Sequence, residues 1–229
     1  MLVRSVEEES EGVLVRCVDT RTGAGRKTRA KGVVLAVPAF IATRIFQTGG
    51  SARLPRRSSA PWLVANLHTE WPAMPNLPWD SVLFDAQGLG YVHAQHQHTQ
   101  PSDRAVVTYY RAYGDGDPAA ARAGLLAQPW EALAEEVLAD LRPAHPDLRD
   151  EVSRMDIMLW GHAMPRPEPG FLGEVPFESP VSLGDRVVWG HVDQSGLALF
   201  EEAQHCGVRA AETLARAIGK EPAESWLWG

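Results

Sequence analysis

The stretch from Asp185 to Ile218, DRVVWGHVDQSGLALFEEAQHCGVRAAETLARAI, constrains the fold more than any other part of the chain. Its pattern predicts a buried strand from Arg186 to Gly190, a polar turn through Asp193, Gln194, Ser195 and Gly196, and then a long helix. Small or apolar residues recur at Leu199, Ala203, Cys206, Ala210 and Leu214, the three-and-four spacing of a stripe that packs on a sheet. A strand ending beside a helix N-terminus presents unpaired backbone N–H groups and a positive dipole end, which suits an anionic ligand group. Glu201 and Glu202 fall in the first turn, where the same dipole favours them. An ordinary, well-capped strand-to-helix unit is the simpler account of the periodicity alone.

Residues 2 to 37 carry the strand period. Leu2, Val3 and Val6, then Val13, Val15 and Cys17, read as an antiparallel unit that turns at Thr22-Gly23-Ala24-Gly25. Val33 to Val37 is a continuous apolar run, as expected of a parallel strand buried on both faces, and Pro38 stops it. A short helix is expected from Ala39 to Ile45. The stretch SARLPRRSSAPW, rich in Pro, Ser and Arg, reads as an interdomain crossing. Short strands are expected at Trp62 to Glu70, Ser81 to Asp85, Leu89 to His98 and Ala105 to Arg111. Pro129 to Leu141 follows as an amphipathic helix with Trp130, Leu133, Val137, Leu138 and Leu141 on its apolar side. Val152 to Trp160 is a further strand, and Gly161 to Pro180 a loop. The order implies an α+β or α/β architecture: an incomplete sheet over 1–50 and 181–229, with an antiparallel sheet plus helix inserted over 51–180.

Composition narrows the class. At 229 residues, 45% hydrophobic and 22% charged, the chain can bury a real core. Its net charge of −7 argues against a nucleic-acid partner. Arg53, Arg56 and Arg57 sit among Pro and Ser and read as a solvated loop. Cys17 and Cys206 provide neither a disulfide framework nor a CxxC metal site, and no signal-peptide or membrane-spanning run is present, so a cytoplasmic protein without membrane contact is expected.

Two segments, VVLAVPAFIATRIF early and WGHVDQSGLALFEEAQHCGVRAAETL late, resemble the C-terminal half of the FAD-dependent amine oxidase and phytoene desaturase superfamily. The intervening APWLVANL, WDSVLFD, LGYVHAQHQ, TYY and WGHAMPRPEPGF are similar to that family's substrate domain. The resemblance implies FAD as cofactor. It places Asp193 near the flavin ribityl and phosphate region, and Leu199, Phe200 and Glu201 where a helix start points backbone N–H groups at the flavin pyrimidine carbonyl. Reduction puts negative charge on that end of the ring, and a helix N-terminus stabilises it without a particular side chain. Asp193 would accept hydrogen bonds from sugar-like hydroxyls; a helix-capping role fits it equally. The family's G-x-G-x-x-G fingerprint is absent, and Gly23-Ala24-Gly25 precedes Arg-Lys-Thr-Arg, so it reads as a hairpin turn rather than a phosphate loop.

Other chemistry-bearing residues admit blander readings. His96 and His98 would share one face of a strand with His93 on the other, and His68 or His162 are conceivable third ligands; hydrogen-bonded or surface histidines are the simpler account, and no metal is assigned. His162 is the best isolated candidate for an acid or base, with Tyr109 the second catalytic candidate, although a structural histidine is the commoner outcome. Tyr109 and Tyr110 fall on opposite strand faces, so at most one lines a cavity. Trp62, Trp160 and Trp189 suit an aromatic pocket or a core.

Two functions follow. In the first, the chain is the substrate-domain and flavin-facing component of an oxidoreductase acting on a small-molecule substrate, completed by a partner polypeptide with the dinucleotide-binding half. In the second, it is a cofactor-free descendant acting as a small-molecule binding protein, an accessory to a partner enzyme or a flavin-independent catalyst. Its exposed sheet edge would then be covered by self-association into an oligomer. A truncated product is the third possibility.

Overall fold

The computed structural model describes residues 1–47, 54–55, 57–70, 78–96, 98–99, 104–171 and 181–222. Two compact units emerge, Met1–Ser58 with Pro165–Gly229 and Ser59–Met164. The crossings thus fall at residues 58/59 and 164/165, where the sequence suggested 50/51 and 180/181.

In the discontinuous unit, β1 (Leu2–Glu9), β2 (Gly12–Val18) and β3 (Gly25–Ala30) form an antiparallel meander. Gly23 takes a positive φ of 73°, and Asp19 Oδ1 accepts the N–H groups of Arg21 and Thr22, so the Gly-Ala-Gly segment is a hairpin turn. A second sheet has the order β10 (Val181–Ser182), β11 (Val187–Trp189), β4 (Val33–Leu35). β4 lies parallel to β11, as its continuous apolar run requires. On one face Val6, Val13, Leu35, Ala42, Val187 and Trp189 share a core. On the other, Val188 packs with Ala210 and Leu214 of α5 (Phe200–Ala217), joined by Val34. Gly190 permits this approach: a Cβ there would meet Ala210 Cβ at 2.5 Å and the Cys206 carbonyl at 2.9 Å. The short helix α1 spans Ala39–Ile45, as expected.

The continuous unit is a five-stranded sheet of order β6 (Asp80–Ser81), β7 (Gly90–His93), β8 (Ala105–Ala112), β5 (Ser59–Thr69), β9 (Val152–Pro165). Alternation sends Leu63, Ala65, Leu67, Val107 and Tyr109 to one face, where Leu125, Leu133, Val137 and Leu141 cover them. Those last residues come from α2 (Pro118–Ala127) and α3 (Trp130–Leu141); α4 (Leu148–Glu151) adds Leu148.

Several expectations need correction. α2 has no counterpart in the sequence reading, because its stripe reduces to one buried residue, Leu125. β7 ends at His93, and His96 lies in the following turn with its Nδ1 2.9 Å from the His93 carbonyl. His96 and His98 therefore do not share a strand face, and no group of three metal-ligating side chains occurs among the described residues. Trp130 is 51% exposed rather than on the apolar side, since it begins α3 before the helix meets the sheet. Among the described residues, no helix is long and apolar enough to cross a membrane.

Candidate functional site

The candidate site is the end of β11 and the start of α5. After Trp189 the chain makes a short 3-10 turn, Val192–Gln194, that packs against α5. Asp193, Gln194 and Ser195 are buried there despite their polarity, so their hydrogen bonds decide the geometry. Asp193 Oδ2 accepts the backbone N–H of Ala39 at 2.8 Å, the first residue of α1, whose preceding Pro38 offers no side-chain cap. His191 Nδ1 lies 3.1 Å from the Asp193 nitrogen and 3.3 Å from Asp193 Oδ1. A bare Nδ1 accepts the first contact, and a protonated one donates to the second. Burial alone would raise the Asp193 pKa, but His191 and the Ala39 N–H outweigh it, with Arg57 adding attraction, and the carboxyl is held below the usual aspartate value.

Arg57 is the residue that composition misplaced. Instead of lying in a solvated loop, it donates from Nε to the Asp193 carbonyl at 3.2 Å and sets its guanidinium 5.7 Å from the Phe171 ring centroid. Gly196 follows at φ +74°, where a Cβ would meet Phe171 and the Arg57 guanidinium carbon. No local pattern marks Arg57, because Phe171 and Asp193 lie 114 and 136 positions further along the chain. Arg53 and Arg56 fall outside the described residues.

α5 itself begins with Leu199 as N-cap and no side-chain capping hydrogen bond. Leu199 is 55% and Phe200 76% exposed, and Glu201 is exposed as well. The first-turn N–H groups thus retain capacity for an external acceptor, although the carboxylates of Glu201 and Glu202 in the same turn offset part of the dipole.

The two catalytic candidates lie in the other unit, on opposite faces of its sheet. Tyr109 is fully buried in the core, and its OH donates to Asp140 Oδ2 at 2.7 Å. Burial first, and then this carboxylate, push its pKa far above the ordinary value. Tyr110 is the outward member of the pair: it stacks on Trp62 with ring centroids 6.3 Å apart and donates to Asp80. His162 is exposed on β9, with Nδ1 2.8 Å from Ser59 Oγ. Trp189 is a core residue whose Nε1 donates to the Val37 carbonyl, whereas Trp160 is half exposed.

These residues fit part of a flavin. The uncapped α5 start can receive the carbonyl end of the ring. Asp193, expected at the ribityl chain, has its Oδ2 engaged by α1. A strand, glycine-rich turn and helix of the kind that cradles a pyrophosphate is not encoded here, since the sequence contains no G-x-G-x-x-G.

A comparison with known proteins places this arrangement. The profile of the family described as flavin containing amine oxidoreductase matches residues 2–215. No curated protein sequence matches the chain. Among solved structures, cyclohexylamine oxidase from Brevibacterium oxydans is similar with a TM-score of 0.59 and 18% identity, over 94% of this chain and 47% of that one. A triple mutant of putrescine oxidase gives 0.63 and 18%, over 93% and 48%. The FAD complex of glycerol-3-phosphate dehydrogenase from Bacillus halodurans gives 0.53 and 17%, over 97% and 40%. At such identities the likeness establishes the fold, and the chain spans about half the length of the two oxidases. With 214 of its residues (2 to 215) inside the family profile, the chain belongs to the flavin-containing amine oxidoreductase family.

Proposed function

We propose that the chain is the substrate-domain and flavin-facing component of an FAD-dependent, amine oxidase-like oxidoreductase. A dinucleotide-binding half supplied from outside these residues, on a partner polypeptide, completes it. The single observation that carries this reading is the uncapped, exposed start of α5, set at the end of a strand in a chain of this family.

When bound, FAD would accept a hydride from a C–N or C–H bond of a small substrate. The chain's own residues would act around that event. The Phe200, Glu201 and Glu202 N–H groups would hold the end of the ring where negative charge gathers, at no reorganisation cost because the helix fixes them. Asp193 and Arg57 would keep the turn before α5 in place through Ala39 and Phe171. Leu199 and Phe200 would exclude water from the ring edge. His162, exposed on β9 with Ser59 Oγ at its Nδ1, would be the group that exchanges a proton with substrate. Tyr109 has no part in this scheme, being a buried donor to Asp140.

Purifying the chain together with the products of its genomic neighbours, and recording the flavin absorption spectrum, tests the reading. A coloured sample containing a second chain with G-x-G-x-x-G is expected. A colourless sample without such a chain contradicts it.

A further inference from the structure

On the continuous unit, we propose that the loop after β6 and the C-terminal end of α3 form a self-complementary surface through which two copies of this chain associate. Phe84 is the most exposed large hydrophobic side chain among the described residues, at 94%, and Val82 follows at 79%. They stand beside an open groove of about 590 Å³, whose walls include Ala86 of the loop and Ala139, Pro143 and Ala144 at the end of α3. An apolar knob and an apolar hollow thus lie side by side on one surface. A second copy turned about a two-fold axis satisfies both, each Phe84 seating in the other's groove.

The loop is held in place before any docking. β6 and β7 pair at Asp80–Val92 and Ser81–Tyr91. Asp140 of α3 accepts the Gln87 and Gly88 N–H groups at 2.7 Å each. Asp85, immediately after Phe84, turns the backbone with a φ of 61°. The phenyl ring is therefore presented by a fixed turn, which reduces the ordering cost of association.

Charge selects the occupant. Asp85 on the groove and Arg142 next to Pro143 are both exposed, and among the described residues neither side chain has a hydrogen-bond or ion-pair partner. The two-fold that seats Phe84 carries Asp85 of one copy toward Arg142 of the other, and does so twice. An anionic lipid surface would instead meet Asp85 on a chain of net charge −7 and be repelled. Two Phe84 rings contribute about 300–500 Å² of buried surface, and the groove walls that receive them a comparable amount, against about 1,200–2,000 Å² for a stable interface. With Val82 added, the total reaches the low end of that range, so the dimer is a weak one.

Sedimentation equilibrium on the chain as purified, with any bound partner retained, reads the association. The mass should rise toward that of two copies as concentration passes through the micromolar range. Phe84→Ser should weaken the dimer at least about tenfold and melt with the wild type, since the side chain is almost wholly exposed. Leu126→Ser, at a half-exposed position on α2, should leave the association unchanged. Asp85→Asn and Arg142→Gln should each weaken it about two- to fivefold and flatten its salt dependence. A benzophenone side chain in place of Phe84 should, on illumination, join isotope-labelled to unlabelled chains through residues 139–144. A monomer at every concentration, a dimer indifferent to Phe84→Ser, or cross-links only within one chain, to lipid or to another protein would overturn the inference. The proposed flavin role does not depend on this contact and survives its failure.

Discussion

The carboxylate of Asp193 accepts the backbone N–H of Ala39 at 2.8 Å, joining residues 154 positions apart. The contact ties the turn before α5 to the start of α1, which has no cap of its own. One buried carboxylate thereby joins the two chain segments of the discontinuous unit, in the turn that precedes the candidate flavin-facing helix start.

Replacing that carboxylate should be costly. Asp193→Asn removes a charge-assisted acceptor from a buried site and is expected to lower stability by about 1.5–3 kcal/mol at neutral pH. Because the folded-state pKa is lowered, the wild-type advantage is fully present above the ordinary aspartate range and is lost as pH falls through the folded value. Urea denaturation of both proteins at pH 7 and at pH 3 checks this: the gap should narrow at pH 3.

Tyr109 governs alkaline behaviour. Its pKa, like that of Tyr113, is raised by burial and then by a carboxylate partner, Asp140 and Glu136 respectively. The folded state holds these protons while the unfolded chain releases them near pH 10, so stability should fall as pH rises past about 10. Tyr109→Phe should cost about 1 kcal/mol at neutral pH and flatten the alkaline decline, as read by denaturant midpoints between neutral and alkaline pH.

Gly190 sets the distance between β11 and α5. Gly190→Ala places a Cβ 2.5 Å from Ala210 Cβ and 2.9 Å from the Cys206 carbonyl. An overpacking cost of about 1–3 kcal/mol is expected. Gly114→Ala, with open space around it, should change the melting temperature little and serves as the control.

His145 predicts an acid-sensitive region in the continuous unit. It lies 2.8 Å by Nε2 from the Tyr91 OH, with the two rings edge-on, and burial lowers its pKa. The unfolded chain takes up a proton below about pH 6.5 before the folded state does, so stability is lost as pH falls. His145→Gln should flatten the dependence between pH 7 and pH 5, measured by thermal melting.

Much of this architecture is legible in the sequence, for physical reasons. The apolar run from Val33 marks a strand covered on both faces, and Cys206, Ala210 and Leu214 mark the packed stripe of α5, because burial imposes the period there; Leu199 and Ala203, expected on the same stripe, are exposed instead. α2 is not legible by periodicity; its only local signal is Asp117 followed by Pro118, the N-cap and first position of that helix. The strand expected through His98 stops at His93 because partner strands, and not propensity, set where pairing ends. Asp193 could be flagged as a turn residue, but its bond to Ala39 and its proximity to Arg57 are tertiary facts with no local trace.

The most direct measurement is anaerobic addition of a small primary amine to the chain purified with the product that carries the dinucleotide-binding half, followed by absorbance. The account predicts a flavin spectrum that bleaches on adding amine and recovers on admitting oxygen. A flavin spectrum that no amine bleaches, or no flavin at all in the assembled sample, would contradict it.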